Sequence, residues 1–568
     1  MKKKSKVSHG LRNGLTNYGD PEFSIYLRRS FAMSMGYTTE MLERPTVGIA
    51  YTPSAFNNCH RHFPELLEAV KRGVLASGAL PMEFPTISLG EVFLKPTSLF
   101  YRNLMSMDTE EMIRAQPIDS VILMGGCDKT VPAQIMGACS VDKPTIQLVS
   151  GPMMTSRYEE ERLGACTDCR RFWAKFRAEE ISANEIIRIE KGLATTAGTC
   201  AVMGTASTMA CIAEALGMML PGTAAIPAVH ADRLRAAEET GKRAAEIIGT
   251  DFIPSNIITE ASVENALRLL LALGGSTNAI IHLTAIAGRL NLPVSLERLN
   301  ELSDSTPVLI NLKPTGEHYM EDFFAAGGVS AVLAEIKHLL HLECMTVTGE
   351  TLGERIQRES GIYVDRKVIS PLSEPIEPEG GLIALFGSLA PKGAILKRSA
   401  ADKTLFEREG RAVVFSSMED LSRRIDEPEL DISENDFLVL QNAGPKSKSG
   451  MPEAGYLPIP AKLARNGVKD MIRLSDARMS GTAFGTVILH ITPDSASGGP
   501  LALVQDGDLI RLSVRDRRLD LLVDEAELHQ RRQKLEKPDQ PKRGYQKLYF
   551  DSVLQADQGC DFEFLQGK

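Results

Sequence analysis

The chain has 568 residues, of which 43% are hydrophobic and 24% charged, and a formal net charge of −9. That length exceeds one compact core, so ordinary globular composition here points to two or more domains. The acidic balance argues against nucleic acid or an anionic membrane as the main partner, and a small anionic substrate would need a local metal or Arg/Lys cluster.

Met1 to Val7 is lysine-rich, but polar, glycine-containing sequence follows where a signal peptide needs an apolar core. A cytoplasmic protein is expected. Thr46 to Tyr51 reads as a strand, and Pro64 to Ser77 as a helix with Leu66, Leu67, Val70 and Val74 on one face and Gly78 as its stop. Between them, Asn57-Asn58-Cys59-His60 occupies a strand-to-helix loop, a place that can carry function. Val121 to Met124 and Thr145 to Val149 read as further strands followed by helices. Continued to about Pro375, this alternation predicts a layered α/β domain with a mostly parallel sheet. The apolar tract Cys200 to Leu220 contains Glu214 and many small residues, so it reads as a buried helix opened by Cys200 and not as a membrane span.

Pro371 to Gly381, rich in proline, glutamate and glycine, reads as a linker. Beyond it short β-rich runs dominate: Leu382 to Phe386, Ala412 to Phe415, Phe437 to Leu440, Thr486 to Ile491, and a hairpin of Leu509 to Val514 with Leu519 to Val523. The expected architecture is α/β, with a large layered domain over residues 1–375 and a smaller β-rich, swivel or barrel-like domain over residues 380–568. The polar tail after Gln530 is expected to wrap a neighbouring subunit or lie loose.

The densest chemistry lies at Gly125-Gly126-Cys127-Asp128-Lys129, where a thiol, a carboxylate and an amine follow a buried strand ending in two glycines. Such an ending brings the backbone close to a ligand. Cys127 suits a soft metal and Asp128 a hard one, which points to two metals of different character in one pocket. The nine cysteines are an odd number, widely spaced and without a secretory signal, so a disulfide framework is not expected. Cys59, Cys127 and Cys200 each read as sitting at an element start, where a helix N-terminus favours a thiolate. Their spacing matches no local metal motif, and read alone each is a buried small apolar residue. Cys166 and Cys169 have CxxC spacing but no second pair for a zinc site, and read as structural. By the same reasoning Ser480 is a turn serine, Lys129 an ion-pair partner of Asp128 or a phosphate binder, and His60, His62 and His230 core or surface histidines. Arg170, Arg171 and Trp173 read as a solvated helix face.

Taken together, Ser88-Leu89-Gly90-Glu91, Gly126 to Thr130, Met203 to Thr208, Leu273 to Asn278, Gly450 to Glu453 and Arg478 to Thr482 make the chain resemble the dihydroxyacid and sugar-acid dehydratase family of iron–sulfur enzymes over almost its whole length. Ser88 to Glu91 and Tyr101 to Met105 are similar to the sugar-acid branch. The resemblance implies a hydro-lyase in which Cys59, Cys127 and Cys200 hold a 2Fe–2S cluster, with 4Fe–4S as the alternative. It implies Mg²⁺ on Glu91, Asp128, Lys129 and Glu453, with Lys129 carbamylated by CO₂. Ser480, as alkoxide supported by Thr482, would remove the proton on carbon 2 of an aldonate to give a 2-keto-3-deoxy acid. The active site would lie between the domains of a homodimer or homotetramer. Alternatives are a dihydroxyacid dehydratase making branched 2-keto acids and a non-catalytic cluster- or sugar-acid-binding paralogue. Thr199, Ala477 and the run Ala50 to Ser54 depart from the family pattern and bear on pocket shape.

Overall fold

A computed structural model describes residues 9–15, 17–536 and 540–567; the lysine-rich segment Met1 to Val7 lies outside the described residues. Four strands, β1 (Thr46–Tyr51), β2 (Leu80–Pro85), β3 (Ser120–Gly125) and β4 (Thr145–Val149), form an all-parallel sheet in the order β2-β1-β3-β4. Every residue of β3 is buried, as befits a central parallel strand with both faces covered. One cover is the helix Phe63–Ala76 packed on the helix Ala231–Glu246. Their approach is close enough that a Cβ on Gly73 would sit 1.9 Å from the Glu238 carbonyl oxygen, so only glycine fits.

The expected alternation ends at β4. From there to Arg358 the chain is helical apart from the short hairpin β5 (Ser156–Tyr158) and β6 (Glu161–Leu163). The apolar runs in this stretch form buried helices, Thr205–Ala215, Glu260–Ala272 and Asn278–Arg289, because short apolar runs alone do not separate a buried strand from a buried helix. Cys200 does not open a helix. The helix begins at Thr205 behind Gly204, and the amides of Ala201 and Met203 are taken by the carbonyls of Ala165 and Lys313 instead of by a helical turn.

The C-terminal half contains β7 (Ile383–Leu385), β8 (Ala394–Leu396), β9 (Glu407–Phe415), β10 (Phe437–Leu440), β11 (Arg473–Ser475), β12 (Val487–Leu489), β13 (Leu509–Ser513) and β14 (Arg518–Leu521). They form one mixed sheet in the order β14-β13-β9-β10-β11-β12-β8-β7. Its ends meet: the Phe386 amide donates to the Arg517 carbonyl at 2.9 Å and the Leu519 amide to the Phe386 carbonyl at 2.8 Å, so the sheet curls into a nearly closed barrel. Alternation along β7 sends Ile383 and Leu385 into the barrel and Leu382 and Ala384 onto the helical core of the N-terminal half. No helix among the described residues is long and apolar enough to cross a membrane.

The tail after Gln530 returns to its own chain. The helix Gly544–Ser552 buries Tyr549 and Phe550 against Leu99, Phe100 and Ile281. Arg289 then grips Asp561 through two nitrogens at 2.6 and 3.0 Å, both side chains buried. Removing one partner of such a pair strands the other charge. Asp561→Ala should therefore lose about 3–5 kcal/mol in urea unfolding, and a loss under about 1 kcal/mol would show that the pair does not anchor the tail.

Candidate active site

Three carboxylates converge where the two halves meet. Glu91 comes from the loop after β2, Asp128 from the first turn of the helix Cys127–Val141, and Glu453 from the loop after β10. Each offers an oxygen within 4.8 Å of the others. Charge buried this way has to be paired. Lys129, fully buried, lies 3.1 Å from Glu91 and 3.6 Å from Asp128. Arg478, also fully buried, donates to Glu91 at 2.8 Å, Glu453 at 2.6 Å, Thr97 at 2.7 Å and the Met451 carbonyl at 2.9 Å. Ser98 donates to Glu91 as well.

The carboxyls respond differently. Burial opposes ionisation of Glu91, but Arg478 and Lys129 outweigh it and hold the group well below the usual carboxylate range. Burial, reinforced by the charge of Glu91, pushes Glu453 up to about 7. Asp128 is raised mainly by burial, with Lys129 opposing.

The thiols gather beside this cluster. Cys127 is the first residue of its helix and adopts φ 62°, a left-handed conformation that costs a non-glycine residue about 1–3 kcal/mol. His60 joins the Cys59 loop to that helix start: its Nδ1–H donates to the Thr52 carbonyl at 2.7 Å, and its Nε2 accepts the Gly126 amide at 2.9 Å. Burial lowers His60 to about 4, so the ring stays neutral in the tautomer this clamp requires. A hydrogen bond with Cys127, then burial, pushes the Cys59 thiol up. Cys200 lies with its Sγ 3.1 Å from that of Cys166 and within electrostatic reach of Cys59 and Asp128. The structure thus brings the three sequence-predicted cysteines into one region and adds Cys166. Cys211, Cys344 and Cys560 lie elsewhere, beside Glu214, Asn265 and Met451 respectively.

Ser480 and Thr482 complete the site. Their hydroxyl oxygens are 2.8 Å apart in a turn from the C-terminal half that is seated on the N-terminal half. Asn278 donates to the Met479 carbonyl at 3.0 Å, and the Thr167 hydroxyl to the Thr482 carbonyl at 3.1 Å. A Cβ on Gly481 would meet the Thr205 amide nitrogen and the Ser276 Cβ at 2.7 Å. The segments Met203 to Thr208 and Leu273 to Asn278 thus form the seat for this turn. Arg478, two residues before Ser480, links the turn to the carboxylates, and Thr167 links it to the loop of Cys166.

Residues 44–355 match the dihydroxy-acid/6-phosphogluconate dehydratase N-terminal family and residues 367–560 its C-terminal counterpart. The chain belongs to the dihydroxy-acid/6-phosphogluconate dehydratase family. It is 44% identical to the L-arabonate dehydratase of Azospirillum brasilense, over 97% of this chain and 96% of that one. It is 42% identical to the L-arabinonate dehydratase of Rhizobium leguminosarum bv. trifolii, over 100% and 98%, and 42% identical to the 6-deoxy-6-sulfo-D-gluconate dehydratase of Pseudomonas putida, over 93% and 91%. Dihydroxy-acid dehydratases match at 36% to 38%. The chain is a hydro-lyase of this family.

Three residues of the site are not among those the sequence marks as functional: Arg478, His60 and Cys166. Arg478 lay inside a recognised motif, and its position beside Met479-Ser480 was the available signal. His60 adjoins Cys59 but looked like an ordinary core histidine. Cys166 gave only a CxxC spacing, which does not reveal that its thiol meets Cys200.

Burial and the charge of Glu91 push the Glu453 carboxyl from an ordinary value of about 4.5 up to about 7 in the folded state. The folded state therefore holds an extra proton between those values, and its stability falls as pH rises through that window. In metal-free protein Glu453→Gln should gain roughly 2–3 kcal/mol relative to wild type between pH 4.5 and pH 8, read from urea melts at both pH values. An unchanged difference across the window would show that the carboxyl is not held neutral.

Proposed function

We propose that this chain removes water from a sugar acid, an aldonate of pentonate or hexonate type, to give a 2-keto-3-deoxy acid. The observation that carries the reading is the Ser480 turn, tied through Arg478 to the carboxylates Glu91 and Glu453 and through Thr167 to the loop of Cys166, whose thiol meets that of Cys200. Soft donors in Cys59, Cys127 and Cys200 fit an iron–sulfur cluster, and hard donors in Glu91, Asp128 and Glu453 fit Mg²⁺. When bound, these groups supply Lewis acidity toward the hydroxyl on carbon 3 and toward the carboxylate and the hydroxyl on carbon 2.

The remaining work falls to the chain. Lys129 in its ammonium form would repel Mg²⁺. Addition of CO₂ to its neutral amine, with loss of a proton, turns Nζ into a carbamate that joins the three carboxylates. Ser480, as alkoxide, takes the proton from carbon 2, and Thr482 steadies that oxygen by a hydrogen bond from 2.8 Å. Hydroxide leaving carbon 3 takes up the proton that Ser480 received from carbon 2, which releases water and restores the alkoxide, and the resulting enol tautomerises to the 2-keto acid. The packed turn keeps bulk water from the base.

A sugar acid is preferred here to a branched dihydroxy acid, whose pocket would need apolar walls around carbon 3. The relatives at 42% and 44% identity named for arabinonate support the same choice. The reading includes a cytoplasmic homo-oligomer.

Protein reconstituted anaerobically with iron, sulfide, Mg²⁺ and bicarbonate should release 2-keto acid from L-arabinonate or another aldonate in preference to 2,3-dihydroxyisovalerate. The reverse preference would move the chain to the branched-acid reading. Ser480→Ala should keep its iron and its Mg²⁺ affinity while turnover falls by about 10²–10⁴-fold; full activity would remove Ser480 as the base.

A further inference from the structure

Cys166 and Cys169 take no part in the reaction described above, yet the fold sets one of them against a residue that does. The Sγ of Cys166 lies 3.1 Å from that of Cys200. All three thiols are half-buried and pack against Met153 and Tyr319, so a small oxidant can reach them.

Both backbones behind this pair are fastened. The Ala201 amide donates to the Ala165 carbonyl at 2.8 Å, which ties the neighbour of one thiol to the neighbour of the other. Beside Cys200, the Thr199 amide donates to the Gly151 carbonyl at 2.9 Å and its carbonyl accepts the Met153 amide at 2.9 Å. Beside Cys166, the fully buried Asp168 accepts the Gly164 amide at 2.9 Å, the Tyr319 hydroxyl at 2.8 Å and the Lys313 ammonium at 2.9 Å. A disulfide places its sulfurs about 2.05 Å apart, so the two thiols need to close by only about 1 Å, within the reach of side-chain rotation.

We propose that Cys166 and Cys200 form a reversible disulfide when the chain carries no cluster, and that this bond withholds Cys200 from iron until it is reduced. The withholding rests on the iron–sulfur reading given above, in which Cys200 is a ligand. A thiolate bound to iron is not free to join a second sulfur, so the bond belongs to the cluster-free chain alone. The oxidant is hydrogen peroxide. One thiol attacks its O–O bond, which gives a sulfenic acid and one water; the other thiol then attacks that sulfur, and the sulfenic hydroxyl leaves with the thiol proton as a second water. Two thiols lose two electrons and two protons while one peroxide becomes two waters. A dithiol reverses the bond by exchange, so Cys200 is kept on the reversible rung of thiol oxidation and does not advance to sulfinic acid.

The test uses the full-length chain freed of metal anaerobically, as wild type, Cys166→Ser and Cys169→Ser, with far-UV circular dichroism to establish folding. Each is treated with one equivalent of hydrogen peroxide, alkylated, digested and mapped by mass spectrometry. Parallel samples are offered ferrous iron and sulfide, with and without prior dithiothreitol. Wild type and Cys169→Ser should give a linked Cys166–Cys200 peptide and take up roughly tenfold less iron and sulfide than untreated chain, recovering after dithiothreitol. Cys166→Ser should show no linkage at Cys200 and keep its uptake. Cys200 joined to another cysteine, Cys166 joined to Cys169, or a Cys166→Ser chain that loses uptake as fully as wild type would overturn the proposal. A Cys166–Cys200 link in a wild-type chain that takes up no iron and sulfide even when reduced would support the bond and overturn the cluster reading with the withholding it implies. If Cys166→Ser fails to fold, Cys166→Ala is mapped and loaded in the same way, with the same outcomes.

Discussion

The guanidinium of Arg478 is the contact on which the site depends. It is buried in the C-terminal half, yet it reaches Glu91 from the N-terminal half while holding Glu453 from its own. Burial of three carboxylates near one another is costly unless cations share the space, and Arg478 with Lys129 supplies them. Because the arginine stands two residues before Ser480, the same contact that pairs with the carboxylates fixes where the Ser480 turn begins. Electrostatic pairing and placement of the proposed base are therefore one constraint.

The thiol side is organised by a neutral residue. His60 has one tautomer available, donating to Thr52 and accepting from Gly126, and it thereby locks the loop of Cys59 to the start of the Cys127 helix. Cys127 is held in a left-handed conformation at that start. Strain of this kind persists only where surrounding contacts over-determine it, and the His60 clamp is one such contact. The Ser480 turn packs on Thr205 and Ser276 and is tied by Thr167 to the loop of Cys166, at the same junction.

Much of this was legible in the sequence, for physical reasons that differ by residue. Thr46 to Tyr51, Thr145 to Val149 and Phe437 to Leu440 are buried apolar runs, and the strands match them residue for residue. β2 is not among the expected strands: Pro81, Glu83 and Pro85 interrupt its apolar pattern, yet an edge strand tolerates proline and exposed charge. β11 escaped because Arg473 is a charged residue in a buried strand; Asp470 and the carbonyls of Tyr456 and Leu457 absorb its charge. At the site, read alone, the cysteines and Ser480 are ordinary core and turn residues; the family resemblance of the ordered motifs implies Cys59, Cys127, Cys200, Glu91, Asp128, Lys129, Glu453, Ser480 and Thr482, which the fold gathers at one junction. The positions of Arg478, His60 and Cys166 depend on contacts between distant parts of the chain, which local pattern does not encode.

The most direct measurement is anomalous diffraction from crystals of enzyme loaded anaerobically with iron, sulfide and Mn²⁺ in place of Mg²⁺, collected at both metal edges. The account predicts an iron peak among Cys59, Cys127 and Cys200 and a manganese peak among Glu91, Asp128 and Glu453, with the Ser480 turn between them. Iron bound away from those cysteines, or manganese bound away from the carboxylates bridged by Arg478, would contradict it.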